Sequence, residues 1–234
     1  MSEHSMSRTI EERVAEILAS LPSHVQVVAA AKTRSVEEVS AAIRGGVQAI
    51  GENYVQKTEA TQEGLTSLGG GAVAEVQWHL IGHLQRNKAK KAAALFDMIE
   101  TVDSMRIAQT VDRHCEAIGK TMSVLLEVNS GREANKTGIP PDEVERVARE
   151  VARLAHLRIQ GLMTMGPRFG DPEDARPYFQ LTRELFDRLA GMGMENVDMR
   201  YLSMGMSNSY RVAVEEGANI VRLGTYLFGA REEN

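Results

Sequence analysis

Lys32 follows the run Val25–Ala31, VQVVAAA, and is the first residue in the chain whose setting gives it chemistry. A lysine delivered to the end of a buried strand has two fates. Either its ammonium snorkels out to solvent, or it is held in a partly dehydrated mouth where burial and neighbouring cations favour the free amine. In the second case the amine is a nucleophile that forms imines with carbonyl compounds. Near the other end of the chain two segments combine small hydroxyl residues with glycine. They are Ser203-Met204-Gly205-Met206-Ser207-Asn208-Ser209 and Arg222-Leu223-Gly224-Thr225. Each lies where a strand hands over to a helical segment, and unpaired backbone N–H groups at such places suit an anion such as phosphate. The plainer reading makes Ser207 an N-cap and Gly224 a turn.

Other polar residues are less telling. Asn53, in Gly51-Glu52-Asn53-Tyr54, either caps a helix or lines a pocket. His79 and His83 have the i, i+4 spacing of zinc ligands on a helix, but the segment begins as a strand and no partner glutamate follows His79. No metal site is therefore expected, and His79 reads better as a pocket-lining residue. Arg86, Lys88, Lys90 and Lys91 form a basic face that solvent alone explains.

The elements that must position these residues follow from alternating apolar runs. Strands are expected at Val25–Ala31, Gln48–Gly51, Val76–Ile81, Met98–Val102, Met122–Val128, Ile159–Met163, Met199–Ser203 and Ile220–Leu223. Helices are expected at Ser35–Arg44, with Ser35 and Glu38 at capping-box spacing, and at Tyr54–Thr61, Gln85–Phe96 and Ser104–Ile118. Further helices are expected at Asp142–Ala155, Pro172–Leu189 and Ser207–Glu216. Glu63–Ala72, with four glycines, reads as a loop. Thr9–Leu18 has helical apolar spacing and is expected to pack outside the rest. Eight strands separated by helices imply parallel pairing through right-handed crossovers. About 210 residues of such units match a small (β/α)8 TIM barrel, an α/β fold. A doubly wound open sheet is the rival, but the glycine-rich dinucleotide fingerprint is missing after the first strand. One domain over residues 1–234 is expected, with about 1–7 as a flexible tail.

In such a barrel the first and eighth strands are neighbours, and loops seven and eight are where phosphate commonly sits. A phosphorylated aldehyde could then bridge Lys32 and the Ser207, Gly224 and Thr225 segments, and pyridoxal 5′-phosphate meets that description. Composition agrees with a soluble globular protein: of 234 residues 43% are hydrophobic and 25% charged. A net charge of −5 disfavours general nucleic-acid binding. A single cysteine fits a reducing cytoplasm, and neither a signal peptide nor a membrane-spanning run is evident.

Taken together, AAAKT (29–33), GENYVQ (51–56), WHLIGHLQRNK (78–88), VNSGREANKTG (128–138), GLMTM (161–165), LSMGMS (202–207) and VRLGTYLFG (221–229) resemble the pyridoxal phosphate homeostasis proteins, the YggS/PROSC family. That family is similar to the N-terminal barrel domain of alanine racemase. The resemblance implies a fold-type III barrel and a Schiff base between pyridoxal 5′-phosphate and Lys32. It implies that Ser203, Ser207, Gly224 and Thr225 shape the phosphate site, without saying which serine touches phosphate. Asn53 and His79 match positions lining the cofactor pocket, and Arg222 matches an arginine facing the pyridine nitrogen. A permanently cationic arginine there leaves the ring a weak electron sink. The chain departs from the family pattern at Ala31, where serine is usual, at Arg34, where lysine is frequent, and at Asn208, often aspartate.

The resemblance implies a cytoplasmic carrier in vitamin B6 homeostasis without substrate turnover, expected to be a monomer, with transient contact with apo-enzymes that use the cofactor. No catalytic residue is assigned. An amino-acid racemase is the alternative, but the sequence stops five residues after Gly229, so the second domain that brings the second base in racemases is not expected. A cofactor-free, aldolase-like barrel and an interaction scaffold using residues 86–91 are the remaining rivals.

Overall fold

A computed structural model describes residues 8–68, 76–133, 136–167 and 170–229. Eight parallel strands close into a barrel in sequence order. They are β1 (Gln26–Ala30), β2 (Ala49–Glu52), β3 (Gln77–Leu80), β4 (Met98–Val102), β5 (Met122–Val128), β6 (Leu157–Thr164), β7 (Val197–Ser203) and β8 (Ile220–Leu223). β8 returns to pair with β1, Arg222 opposite Val28. The helices are α1 (Ile10–Ser20), α2 (Val36–Arg44), α3 (Val55–Ser67), α4 (Ala89–Leu95), α5 (Met105–Glu116), α6 (Val144–Val151), α7 (Arg176–Ala190), α8 (Tyr210–Glu215) and α9 (Thr225–Phe228).

All eight expected strands are present, and α2 begins with the expected reciprocal bonds between Ser35 and Glu38. The extra N-terminal helix is α1, which buries Val14 and Ile17 and donates from Arg13 Nε to the Leu227 carbonyl at 2.6 Å. Three expectations are corrected. Glu63–Ala72 is not all loop: α3 runs on to Ser67. The glycine at 64 is a packing device there, since a Cβ would stand 2.7 Å from a Val36 methyl group on α2; residues 69–72 lie outside those described. The helix expected from Ser207 starts only at Tyr210, because Ser207–Ser209 form a turn ahead of it. The basic segment after β3 opens as a 3-10 turn at Arg86–Lys88 before α4. The tail expected at residues 1–7 also lies outside the described residues.

The apolar residues sort into two layers. Outward-facing strand residues such as Ile50, Leu80, Ile99, Leu126 and Leu202 pack under the helices with Phe96 and Phe179. Inside the barrel, Val28, Ala49, Ile81 and Ile220 form one cluster and Met98, Leu125 and Met163 another, with Tyr201 against both. Strand residues two apart share a face. Glu100, Glu127, Ser203 and Arg222 each follow an interior residue (Met98, Leu125, Tyr201 and Ile220) by two positions. They form a polar storey nearer the carboxyl ends of the strands, which is where barrels of this kind do chemistry.

Candidate functional site

A cavity of about 420 Å³ opens over β7, β8 and β1, lined by Ala30, Met206, Ser207, Asn208, Ser209, Arg222, Gly224 and Thr225 together with Pro167 and Gly170. That size suits a small-molecule ligand. Among the described residues no carboxylate lines it. Ser207 Oγ accepts from the Tyr226 amide at 3.4 Å, and Asn208 Nδ2 donates to the Gly170 carbonyl at 3.2 Å. Hydroxyls, an amide and a guanidinium without a competing negative charge make a donor set for an anion.

Arg222 is 3% exposed and is fixed from behind. It donates to Ser203 Oγ at 2.5 Å and to the Thr164 carbonyl at 2.8 Å, and touches Met165 Sδ at 3.5 Å. Ser203 in turn donates to Glu100 Oε2 at 2.6 Å. The hydroxyl therefore relays between a guanidinium and a carboxylate that themselves stand 3.8 Å apart. Glu100 Oε1 meets His79 Nδ1 at 2.7 Å. Burial opposes charge on Glu100, but the hydrogen bond and charge of His79, the charge of Arg222 and the Ser203 bond outweigh it and hold its pKa below the usual value. Burial lowers the Arg222 pKa while Glu100 and Glu127 raise it. Guanidinium stays protonated in proteins.

The two serines differ in setting. Ser203 is fully buried, with its hydroxyl engaged on both sides, whereas Ser207 lines the cavity with Gly224 and Thr225. Asn53 lines a neighbouring cavity of about 360 Å³ with Thr101, Glu127, Asn129, Met163 and Met206. His79 sits beneath the mouth at 1% exposure, its Nε2 unpartnered. His83 goes elsewhere, half exposed and paired with Asp103 at 3.1 Å. Lys32 is half-buried in the turn after β1, with Nζ 5.6 Å from the centre of the Tyr54 ring.

Several residues escaped sequence reasoning. Glu100, Glu127 and Thr164 belong to the polar storey or brace it. Glu127 is 6% exposed; it accepts from Thr137 at 2.9 Å through Oε1 and leaves Oε2 unpartnered. Burial raises its pKa, Asp103 adds to this, and the Thr137 bond, Arg222 and His83 counter it. The available signal was a carboxylate placed two residues after an apolar one in a short strand, in MIETV and MSVLLEV. Among the described residues no helix is long and apolar enough to cross a membrane.

Residues 7–232 match the family model described as alanine racemase, N-terminal domain. A pyridoxal phosphate homeostasis protein of Aquifex aeolicus is 37% identical over 207 residues, 88% of this chain and 87% of that protein. The structure of Synechococcus elongatus PipY with PLP bound superposes with a TM-score of 0.85 at 33% identity, covering 94% of this chain and all of that one. Alanine racemase of Clostridium difficile shares the fold at 14% identity, with a TM-score of 0.76, and this chain covers 57% of it. The chain belongs to the alanine racemase N-terminal-domain family and, within it, to the pyridoxal phosphate homeostasis proteins.

Proposed function

We propose that this chain holds pyridoxal 5′-phosphate reversibly on Lys32 and serves homeostasis of that cofactor without turning over a substrate. The observation that carries the reading is the cavity over β7 and β8, whose described lining holds no carboxylate, with Arg222 fixed in its wall and Ala30, two residues before Lys32, beside it. When bound, the cofactor supplies an aldehyde carbon that condenses with a primary amine, releasing water, and an electron-withdrawing ring. Lys32 provides the amine. Ser207 and Thr225 offer hydroxyls to the phosphate, and Gly224 lets it approach the backbone. Arg222 stays cationic and yields no proton, so a ring nitrogen facing it remains unprotonated and the ring a weak electron sink. Asn53 stands at the edge of the site; His79 and Ser203 act at one remove, by holding Glu100 and Arg222 in place.

The PLP-bound relative and the name carried by the Aquifex protein support the reading. It includes a cytoplasmic address, which the lone buried Cys115 fits, a monomeric state and brief contact with apo-enzymes that take up the cofactor. It is tested by adding pyridoxal 5′-phosphate to the purified protein and to Lys32→Ala. Wild type gains a visible absorption band and, after borohydride, the mass of one reduced adduct; Lys32→Ala gains neither. Both signals persisting in Lys32→Ala would remove the assignment. Exchange of amino-acid Cα hydrogen with heavy water at catalytic rates, lost with Lys32, would replace it by a racemase.

A further inference from the structure

Lys32 rides on a turn whose geometry is set from α3. Ala31 donates its amide to the Gly51 carbonyl at 2.9 Å, and its own carbonyl accepts from the Arg34 amide at 3.0 Å. The same carbonyl takes a second bond, from Lys57 Nζ at 2.6 Å. Between these partners Thr33 is in the left-handed region, φ 65°, which a β-branched residue adopts only when its surroundings impose it. The peptide that leads into Lys32 is therefore gripped by a side chain 26 positions further along the chain.

Lys57 is itself held by an unusual partner. Glu52 ends β2 at a position facing the helices, where Ile50 before it is apolar, and it is fully buried. Neither of its oxygens has a hydrogen-bond partner; Lys57 Nζ stands 3.4 Å from Oε1. Its register neighbour on β3 is Leu80 and on the β1 side lies Ala31, so Lys57 is the charged group that faces it. An unpaired buried carboxylate is costly, and this one has a counter-charge only where Lys57 also reaches the Ala31 carbonyl. The start of α3 contributes once more, since its N-cap residue Tyr54 places its ring beneath the Lys32 ammonium.

We infer that Lys57, anchored by the buried carboxylate of Glu52, is a positioning residue that fixes the main chain at Lys32 and so sets how readily the Lys32 amine takes up and releases an aldehyde. This rests on the function proposed above. Burial raises the Glu52 pKa to about 7 against the opposing pull of Lys57, so the anchor is charged above that pH and neutral below it.

The test uses the full-length protein, pyridoxal 5′-phosphate and the variants Lys57→Met, Lys57→Arg and Glu52→Gln. In the cofactor-free protein, amide hydrogen exchange at Arg34, whose N–H bonds the Ala31 carbonyl, rises about tenfold in Lys57→Met and is restored in Lys57→Arg. Uptake of the cofactor, followed by the visible band, weakens about tenfold in Lys57→Met. The ratio of wild-type to Glu52→Gln affinity is near one at pH 6 and rises through pH 7 to 8. Unchanged Arg34 exchange in Lys57→Met, or a pH-independent affinity ratio, overturns the inference. If Lys57→Met does not fold, Glu52→Gln and its pH ratio decide alone. A wild-type band that survives in Lys32→Ala defeats the functional reading instead, and the Arg34 exchange then still reports on the clamp.

Discussion

On the β7–β8 side of the mouth the wall is made of Ser207, Asn208, Ser209, Gly224 and Thr225 around the Arg222 guanidinium, and among the described residues no carboxylate lines it. Elsewhere in the barrel, β2 ends in the buried Glu52, which faces the helices, and β4 and β5 carry the buried interior glutamates Glu100 and Glu127. Burying ionised groups is expensive on both sides, and the two sides meet the cost differently. Glu100 is held ionised by the bond and charge of His79, with Arg222 and the shared Ser203 adding to them. Glu52 and Glu127 keep unpartnered oxygens, and burial drives their pKa values up. Ionised charge is thus kept where it is compensated, in the network of Glu100, Arg222 and His79, and the donors on the β7–β8 side would orient a phosphorylated ligand.

The strongest way to break this contrast is Arg222→Met. Removing the guanidinium leaves Glu100 with His79 as its remaining counter-charge, and a loss of about 3 kcal/mol in urea denaturation is expected. Arg222→Met combined with Glu100→Gln should recover much of that loss, because the two groups form one network. Recovery close to zero would show that Arg222 is braced mainly by the Thr164 carbonyl.

On the opposite side, Glu52 prefers its neutral form in the folded state. Its folded pKa of about 7 exceeds the ordinary 4.5, so its stabilising contribution is full below about 4.5 and is lost as pH rises through about 7. Glu52→Gln, which cannot ionise, should gain about 3 kcal/mol on wild type between pH 4.5 and pH 8 in the same assay. Glu127→Gln should move in the same direction. A stability difference that ignored pH would mean that Glu52 is ionised throughout.

Smaller effects sharpen the comparison. Ser207→Ala should weaken pyridoxal 5′-phosphate about tenfold, the worth of one hydrogen bond to a charged group, while Thr137→Val on the carboxylate side leaves that affinity unchanged. Thr225→Val keeps the outline of the side chain and removes its hydroxyl. A loss of about threefold in affinity is expected, with stability within about 0.5 kcal/mol of wild type.

Most of the frame was legible in the sequence because each strand is a short apolar run closed by glycine or by a polar residue. The strand ends then delivered Ser207, Arg222, Gly224 and Thr225 to one cavity, with Lys32 two residues beyond Ala30 in its wall. Glu100 and Glu127 were missed because they lie inside those runs, where a charge looks like noise unless the two-residue parity is followed inward from Met98 and Leu125. The division of labour between Ser203 and Ser207 was not legible either. It depends on which hydroxyl faces the interior and which lies in the turn beyond, and sequence spacing is silent on that turn. The far half of α3 was hidden by Gly64, whose composition signal says loop and whose contact with Val36 says close helix packing.

Ala30 and Gly224 face the same cavity from β1 and from the end of β8. Neither has a rotatable side-chain torsion, so this part of the rim offers no adjustable gate. Its outline is cut by backbone and one methyl group. Whatever is seated there rests against main chain and a single methyl, a contour settled once the barrel closes.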